Sequence, residues 1–421
     1  MTPPAPAEAP SDAALERIAA TAGTPVYVYD AGRIRAQYAH LARALAPVPH
    51  RIHYSVKANA NHAVLSLLRE LGAGVDIVSG GELYRALRAG FRGQDVVFSG
   101  VGKTEQELDA AVACGVLLVN AESEGELHAL NDAAARAQRR VAVALRVNPE
   151  VTVDTPHPYT RTGERGMKFG IPYDDIEHVA RIALALPHLE LAGLDMHLGS
   201  QVARPEVYET GLRRLLELLP LLRRAGATAL RYVDVGGGFA ISYAGERALD
   251  PAQVAAALLP LLREARLTVI VEPGRYLVGA AGTLLTRVLY RKRSGGREFV
   301  ITDAGMTDLV RPALYDAYHG VRVVAGALAD TPCITADVVG PVCESGDFLA
   351  MGREIPDVAA GALLAVECAG AYGSAMSSNY NSRPRAAEVM VDGDRFAVVT
   401  RRERYEDLVE RETDQPEWQP W

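Results

Sequence analysis

No apolar stretch in this 421-residue chain approaches the roughly 20 residues that a helix needs to cross a bilayer. The first ten residues, MTPPAPAEAP, hold neither a basic segment nor an apolar core, so no secretory leader and no membrane association are expected. Cysteine is scarce. The four, Cys114, Cys333, Cys343 and Cys368, have no CxxC spacing, which excludes a disulfide scaffold. Without an export signal the thiols should be reduced and the protein cytoplasmic, and no metal site is expected. A basic face is missing as well. The net charge is −8 and no run of Lys and Arg interleaves with aromatics, so nucleic-acid binding is not expected. What is present is length, with 49% apolar and 23% charged residues, a globular profile too long for one ordinary core.

Between residues 51 and 275 one theme recurs: a short β-rich run, a turn, then an amphipathic stretch. The runs are Arg51–Lys57, Gly74–Ser79, Asp95–Gly100, Val116–Glu122, Val141–Asn148, Leu191–Gly199, Arg231–Gly238 and Thr268–Arg275. Most lie roughly 20 to 25 residues apart, room for one strand and one crossover helix. Ser79-x-x-Glu82, Thr104-x-x-Glu107 and Ser123-x-x-Glu126 read as capping boxes, and Leu212–Leu222 and Val254–Leu262 carry apolar residues at helical spacing. Eight such units predict an α/β fold, a (β/α)8 barrel of the TIM type, with an open doubly wound sheet as the competing topology. Residues Glu150–Pro172 read as a loop over one face.

After Gly282 the texture changes. Thr283–Lys292 and Arg297–Thr302 flank Ser294-Gly295-Gly296, and Ala386–Val391 and Arg395–Thr400 flank Asp392-Gly393-Asp394, which predicts two hairpins. Further strands are expected at Val321–Val324, Ile334–Val339 and Leu363–Val366. The expected organisation is a tail over 1–24, a strand within 25–35 (Pro25–Tyr29) that joins a later sheet, a barrel over 36–280, and an antiparallel β domain over 281–421.

In a barrel of this kind chemistry gathers at the C-terminal ends of the strands. The polar residues there are Lys57, Ser79, Ser99, Glu122, Asn148, His197, Gly236-Gly237-Gly238 and Glu272. Lys57 is either a rim lysine with its amine in solvent or a desolvated amine able to form a Schiff base with an aldehyde. The three glycines make either a tight turn or a cradle in which backbone amides approach a phosphate. Glu272 either pairs with Arg275 or faces a ring nitrogen and keeps it protonated. His197 could stack on a flat cofactor and Ser200 could bond phosphate, although a lone histidine is more often a satisfied core or rim residue.

Together these segments resemble the fold-type III decarboxylases that use pyridoxal 5′-phosphate (PLP), the alanine-racemase-like barrel group. Tyr54-Ser55-Val56-Lys57-Ala58-Asn59 is similar to the group's cofactor-lysine motif, and His197-Leu198-Gly199-Ser200 to its ring-stacking segment. Gly236-Gly237-Gly238 and Glu272-Pro273-Gly274-Arg275 resemble its phosphate and ring-nitrogen motifs. The last is discriminating, because alanine racemases place an arginine at the ring nitrogen. Within the group the resemblance is to the meso-diaminopimelate decarboxylase family, from about Thr24 to Pro384. Lys168-Phe169-Gly170 fits it, as do Arg311 through Tyr315 to His319, Cys343-Glu344-Ser345-Gly346-Asp347, and Gly370-Ala371-Tyr372-Gly373-Ser374.

The resemblance implies decarboxylation of meso-2,6-diaminopimelate to L-lysine and CO2 by a homodimer with shared active sites. It implies that Lys57, His197, Ser200, Gly236, Gly237, Gly238, Glu272, Pro273, Gly274, Arg275 and Tyr372 hold PLP. Arg275, Arg311, Tyr315, Glu344 and Tyr372 would bind the small amino-acid substrate, and Lys57 and Cys343 would be catalytic. Cys343 and Glu344 would come from the neighbouring subunit. An ordinary buried thiol is the other reading of Cys343, and a domain-interface salt bridge the other reading of Arg311. A substrate that is an amino acid at both ends needs a cation for its far carboxylate and an anion for its far ammonium; Arg275, Arg311 and Tyr315 could supply the first and Glu344 the second. Two alternatives stay open: a decarboxylase of the same group acting on carboxynorspermidine or a basic amino acid, and a non-catalytic PLP carrier.

Overall fold

The computed structural model describes residues 9–153, 155–157, 162–163, 165–246, 248–324 and 331–420. They form two compact units, one of Ala31–Ala281 and one in which the chain up to Asp30 joins the chain from Gly282. No helix among the described residues is long and apolar enough to cross a membrane.

The first unit is the closed barrel. Its strands, in chain order, are His50–Ser55, Gly74–Ile77, Val96–Phe98, Leu118–Ala121, Val141–Asn148, Leu189–Asp195, Tyr232–Asp234 and Thr268–Val271. Each pairs in parallel with the next, and the first pairs with the eighth through Ile52 and Val271, which excludes the open sheet. Val97, Leu118, Ala144, Ala192 and Ile270, from five different strands, form one fully buried cluster. Beyond it the registers turn polar. Ser55 lies opposite Asp76, and Arg146, Asp195 and Asp234 stand side by side on the fifth, sixth and seventh strands. An apolar floor below a ring of charged side chains is what a filled barrel with chemistry at one end requires.

The crossover helices start where the hydroxyl residues stand. Thr104 makes the reciprocal box, its hydroxyl accepting from Glu107 N at 3.3 Å while Glu107 accepts from Thr104 N at 2.9 Å. At the other two, the serine caps as expected but the glutamate reaches one residue further back, Glu82 to Val78 N and Glu126 to Glu122 N. Leu212–Leu222 and Val254–Leu262 lie inside the helices Pro205–Arg224 and Pro251–Ala265. Of the segment read as a loop, the two residues Ile171–Pro172 form a strand beside the end of the fifth barrel strand, and Thr162 Oγ1 donates to His197 O at 2.8 Å. Residues 154, 158–161 and 164 of that segment lie outside the described ones.

The second unit is a mixed sheet, which corrects the expectation of a purely antiparallel one. Val26–Asp30 pairs antiparallel with Gly282–Ser294 but parallel with Ala387–Asp392, and Arg297–Thr302 pairs parallel with Cys333–Val339. Both predicted hairpins form, with Gly295, Gly296 and Gly393 at positive φ in their turns. Strands Val321–Val323 and Leu363–Val366 are present, together with Phe348–Pro356, which was not foreseen. Its alternation is broken by bulges opposite Ala336 and Val338 and by Gly352 at φ 58°.

The segment read as a tail also differs. Residues Asp12–Ala22 form a helix capped by Ser11, whose Leu15, Ile18 and Ala19 pack into a core with Val26, Val28, Leu285 and Val389. The strand ends at Asp30, and residues 31–35 already belong to the next helix, Ala31–Leu45.

Candidate active site

Lys57 sits in a single helical turn, Val56–Ala58, directly after the first barrel strand rather than within it. Its Nζ lies 3.1 Å from Asp76 Oδ2, and its side chain is 34% exposed while that of Asp76 is wholly buried. The same Asp76 oxygen lies 2.8 Å from the Ser55 hydroxyl, which lies 3.0 Å from Glu272 O, so lysine and glutamate are tied across the first and eighth strands. Burial, then the Glu272 charge, raises the Asp76 carboxyl, and Lys57 opposes the shift. Glu82, half-buried nearby, is pushed up to about 7, chiefly by burial. Lys103 makes the contrast clear. Its buried ammonium gives three short hydrogen bonds, to Gly100 O, Asn120 O and Glu126 Oε1, so it is fully used in the fold.

Glu272 is 2% exposed, with Oε2 at 3.2 Å from His197 Nδ1 and Oε1 accepting from Ser99 Oγ at 3.3 Å. Asn120 Nδ2 donates to Ser99 in turn at 3.1 Å. Burial would raise this carboxyl, but the bond and charge of His197 and the charge of Lys57 win, and it falls to about 2. The carboxyl is therefore held as the anion well below the usual glutamate range. On the far side of the mouth Arg146 Nη1 donates to Glu122 at 2.7 Å, with Nε 3.8 Å from Asp195.

The glycine run after the seventh strand is forced to be glycine. A Cβ on Gly236 would lie 2.6 Å from His197 Nδ1, one on Gly237 2.1 Å from Glu272 O, and one on Gly238 2.2 Å from Gly199 O. Gly236 and Gly238 also take φ of 67° and 87°. Among the described residues nothing accepts from the Gly237 or Gly238 N–H. Beside the run, buried Arg275 donates to Ser200 Oγ at 2.8 Å and to Tyr243 Oη at 2.6 Å, which leaves the Ser200 proton free to donate elsewhere. Pro273 and Gly274 are buried, and a Cβ on Gly274 would meet Ser55 and Ala58. Another cavity, of about 380 Å³, opens at the opposite ends of the strands among Arg139, Arg140, Arg231 and Glu190, with no lysine in its wall.

The second unit holds the other predicted residues. Arg311 is 6% exposed and begins the short helix Arg311–Tyr315. Its Nη1 lies 2.9 Å from His319 Nε2, and His319 Nδ1 lies 2.8 Å from Glu367 O. Arginine can only donate, so this histidine is neutral with its proton on Nδ1, and it fixes the guanidinium. Tyr315 is half-buried. Cys343 and Glu344 are exposed in a turn, Cys343 N donating to Asn381 Oδ1 at 2.9 Å. That turn is held by buried Asp347, which accepts from Met306 N and Val342 N, each at 2.6 Å. Tyr372 takes φ 57°, next to Gly373, where a Cβ would strike Ala369 O and Tyr27 Oη.

Residues 31–279 match the family described as pyridoxal-dependent decarboxylase, pyridoxal binding domain. A barrel with a lysine, a buried glutamate and a glycine cradle at one end thus belongs to the pyridoxal-dependent decarboxylases. The diaminopimelate decarboxylase of Pseudomonas aeruginosa is 47% identical over 395 residues, 94% of each chain, and that of Aquifex aeolicus is 42% identical over 401 residues, 95% of this chain and 94% of the relative. The crystal structure of diaminopimelate decarboxylase from Helicobacter pylori complexed with L-lysine superposes with a TM-score of 0.90 at 37% identity, covering 94% of this chain and 98% of that one. The chain belongs to the diaminopimelate decarboxylase family.

The residues fit that cofactor on this structure's own terms. Two unsatisfied glycine N–H groups, a serine proton and an arginine suit a phosphate, a buried carboxylate suits a ring nitrogen, and the Lys57 amine suits an aldehyde. Substitution at the cradle tests this. Gly237→Ala forces its methyl onto a backbone carbonyl, so the affinity for PLP, followed by absorbance titration, should fall at least about tenfold and stability by roughly 1–3 kcal/mol. Gly125→Ala, in a helix with nothing within 4 Å of the new methyl, should leave both unchanged or stability slightly raised.

Asp76, Arg146, Asp195, Asp234, Tyr243 and His319 were not singled out as site residues. The first four stand inside strands next to apolar neighbours, and only the barrel register reveals that they face one mouth.

Proposed function

We propose that this protein removes CO2 from meso-2,6-diaminopimelate to give L-lysine, the last step of lysine biosynthesis, with PLP held on Lys57. The observation that carries the reading is the convergence of the Lys57 amine, the Glu272–His197 pair and the glycine cradle on one end of one barrel. The helical turn after the first strand, with Asp76 behind it, presents the amine. Bound PLP supplies an electron sink for the bond that breaks when CO2 leaves.

Glu272, held as the anion, keeps the proton on the ring nitrogen, and His197 and Ser99 hold Glu272 in place. Gly237, Gly238, Ser200 and Arg275 take the phosphate, while the apolar layer beneath keeps water from the barrel interior. Arg311, fixed by His319, and Tyr315 are assigned to the distal carboxylate, and Glu344 to the distal ammonium. Exposed Cys343 returns a proton to the α-carbon from the neighbouring subunit of a homodimer, and Tyr372 borders both cofactor and substrate. A cytoplasmic location accords with four cysteines that form no disulfide.

The test is CO2 release with PLP present, comparing the stereoisomers of diaminopimelate with ornithine, lysine and arginine. Preference for meso-diaminopimelate by at least about 10³-fold is expected, since a buried arginine left without its carboxylate is costly. Equal or better turnover of a substrate lacking the distal carboxylate would overturn the substrate, and no CO2 from any of them would overturn the activity. Sedimentation at assay concentration should give the mass of two chains.

A further inference from the structure

Every acid at the barrel mouth but one has a cation. Asp76 faces Lys57, Glu122 and Asp195 face Arg146, and Glu272 faces His197. Asp234 has none among the described residues. It is wholly buried at the end of the seventh strand, between Asp195 on one side and Ile270 on the other. Oδ1 accepts from Gly236 N at 2.9 Å. Oδ2 meets no N–H or O–H donor among the described residues. Glu272, whose N–H donates to Gly236 O at 2.8 Å, brings a second buried carboxyl to the adjoining end of the eighth strand. Two carboxyl groups can share a hydrogen bond only when one carries a proton, and two bare carboxylates in a dry site repel strongly. Glu272 has His197 and Lys57 to keep it anionic, so the proton belongs to Asp234.

We propose that Asp234 is a neutral carboxylic acid in the folded protein and donates its proton in a hydrogen bond to Glu272, making it the positioning residue for the carboxylate that faces the cofactor ring. The second half of this rests on the function proposed above; the first half does not. Burial, then the charges of Glu272 and Asp195, hold the Asp234 carboxyl well above its usual range. The other end of the same side chain caps the glycine turn, so one residue sets both the ring-nitrogen partner and the start of the phosphate cradle.

The sign of the pH effect follows. Unfolded Asp234 loses its proton near pH 4, whereas the folded chain keeps it to much higher pH, so this residue lowers stability progressively as pH rises from about 4. The charged groups around it are Glu272 and His197, Asp195, Arg146 and Glu122, and Asp76 and Lys57, all present in both partners of the comparison below.

Asp234→Asn keeps the shape, the acceptor for Gly236 and a donor for Glu272, and cannot ionise. In the PLP-free full chain its melting temperature minus that of the native chain should climb by roughly 2 °C per pH unit between pH 5 and pH 8. A flat or falling difference overturns the proposal, because an ionised or merely turn-shaping Asp234 predicts one of those. The infrared carbonyl band of a protonated carboxyl supplies the second measurement, and it decides should the asparagine variant not fold. At pH 8 it should be present in the native chain and weakened in Glu272→Gln, where an amide can donate to Asp234 and let it ionise. An unchanged band in that variant overturns the proposal. Neither readout uses substrate or turnover, so a failed decarboxylation assay with a rising melting difference would remove the enzymatic reading and leave the acid pair intact.

Discussion

Replacing Lys57 with alanine should lower CO2 release from meso-diaminopimelate by about 10⁴-fold and abolish covalent attachment of PLP, seen as loss of the bound-cofactor absorbance. The size follows from losing the amine that anchors the aldehyde, a covalent contribution worth several powers of ten. The fold should survive. Lys57 is a third exposed, its ammonium pairs with Asp76, and a buried Asp76 left without it can take up a proton. Lys57→Arg separates charge from chemistry: the guanidinium preserves the pairing with Asp76 yet forms no such bond, so its melting temperature should match the native chain while turnover stays as low as in the alanine variant. A native absorbance spectrum in either variant would remove Lys57 from its role.

Glu272→Gln should cost about 10²- to 10³-fold in turnover, the scale of removing one charged group aimed at the reacting system. Measured at saturating PLP, the loss should fall on kcat more than on KM, since Glu272 is assigned to the ring and not to the substrate. The pH dependence of stability gives an independent check. The folded carboxyl at about 2 lies below its unfolded value near 4.5, so Glu272 contributes stability above pH 4.5 that disappears as pH falls toward 2. In the glutamine variant that stretch of the acid limb should flatten, as read from melting temperature against pH.

The eight barrel strands were legible because buried parallel strands leave short apolar runs ending in polar or glycine residues, and the helices between them begin with hydroxyl caps. Gly236 to Gly238 were legible for a sharper reason, since each is pressed against a backbone or side-chain atom that leaves no room for a methyl. Asp76, Asp195 and Asp234 were not. A single aspartate within a three-, four- or seven-residue strand carries no sign of what stands opposite, and only closure of the barrel puts Asp195 beside Arg146 and Asp234 beside Asp195. Lys57 could be placed at a strand end, but the turn that lifts it out, and the Ser55–Asp76 link to Glu272, depend on pairing across about 200 residues. The helix Asp12–Ala22 was overlooked although Leu15, Ile18 and Ala19 keep helical spacing after Ser11, because a Pro- and Ala-rich start drew the reading toward a tail. One parallel pairing of the second sheet, Val26–Asp30 with Ala387–Asp392, joins strands from opposite ends of the chain, where turn chemistry cannot announce it.

That early strand has a consequence for how the protein is made. Tyr29 bonds Glu388, 359 residues later, and Val26–Asp30 lies between two strands that leave the ribosome long after it. At 5–20 residues per second the first segment waits roughly half a minute for its neighbours, while every barrel strand has already emerged. Throughout that interval Val26, Val28 and the apolar face of the first helix have nothing of their own sheet to cover them, so the nascent chain carries a sticky, β-prone segment at its leading end. Chaperone capture at that end, and a need for slow growth temperature during overproduction, follow from where one five-residue strand is sewn in.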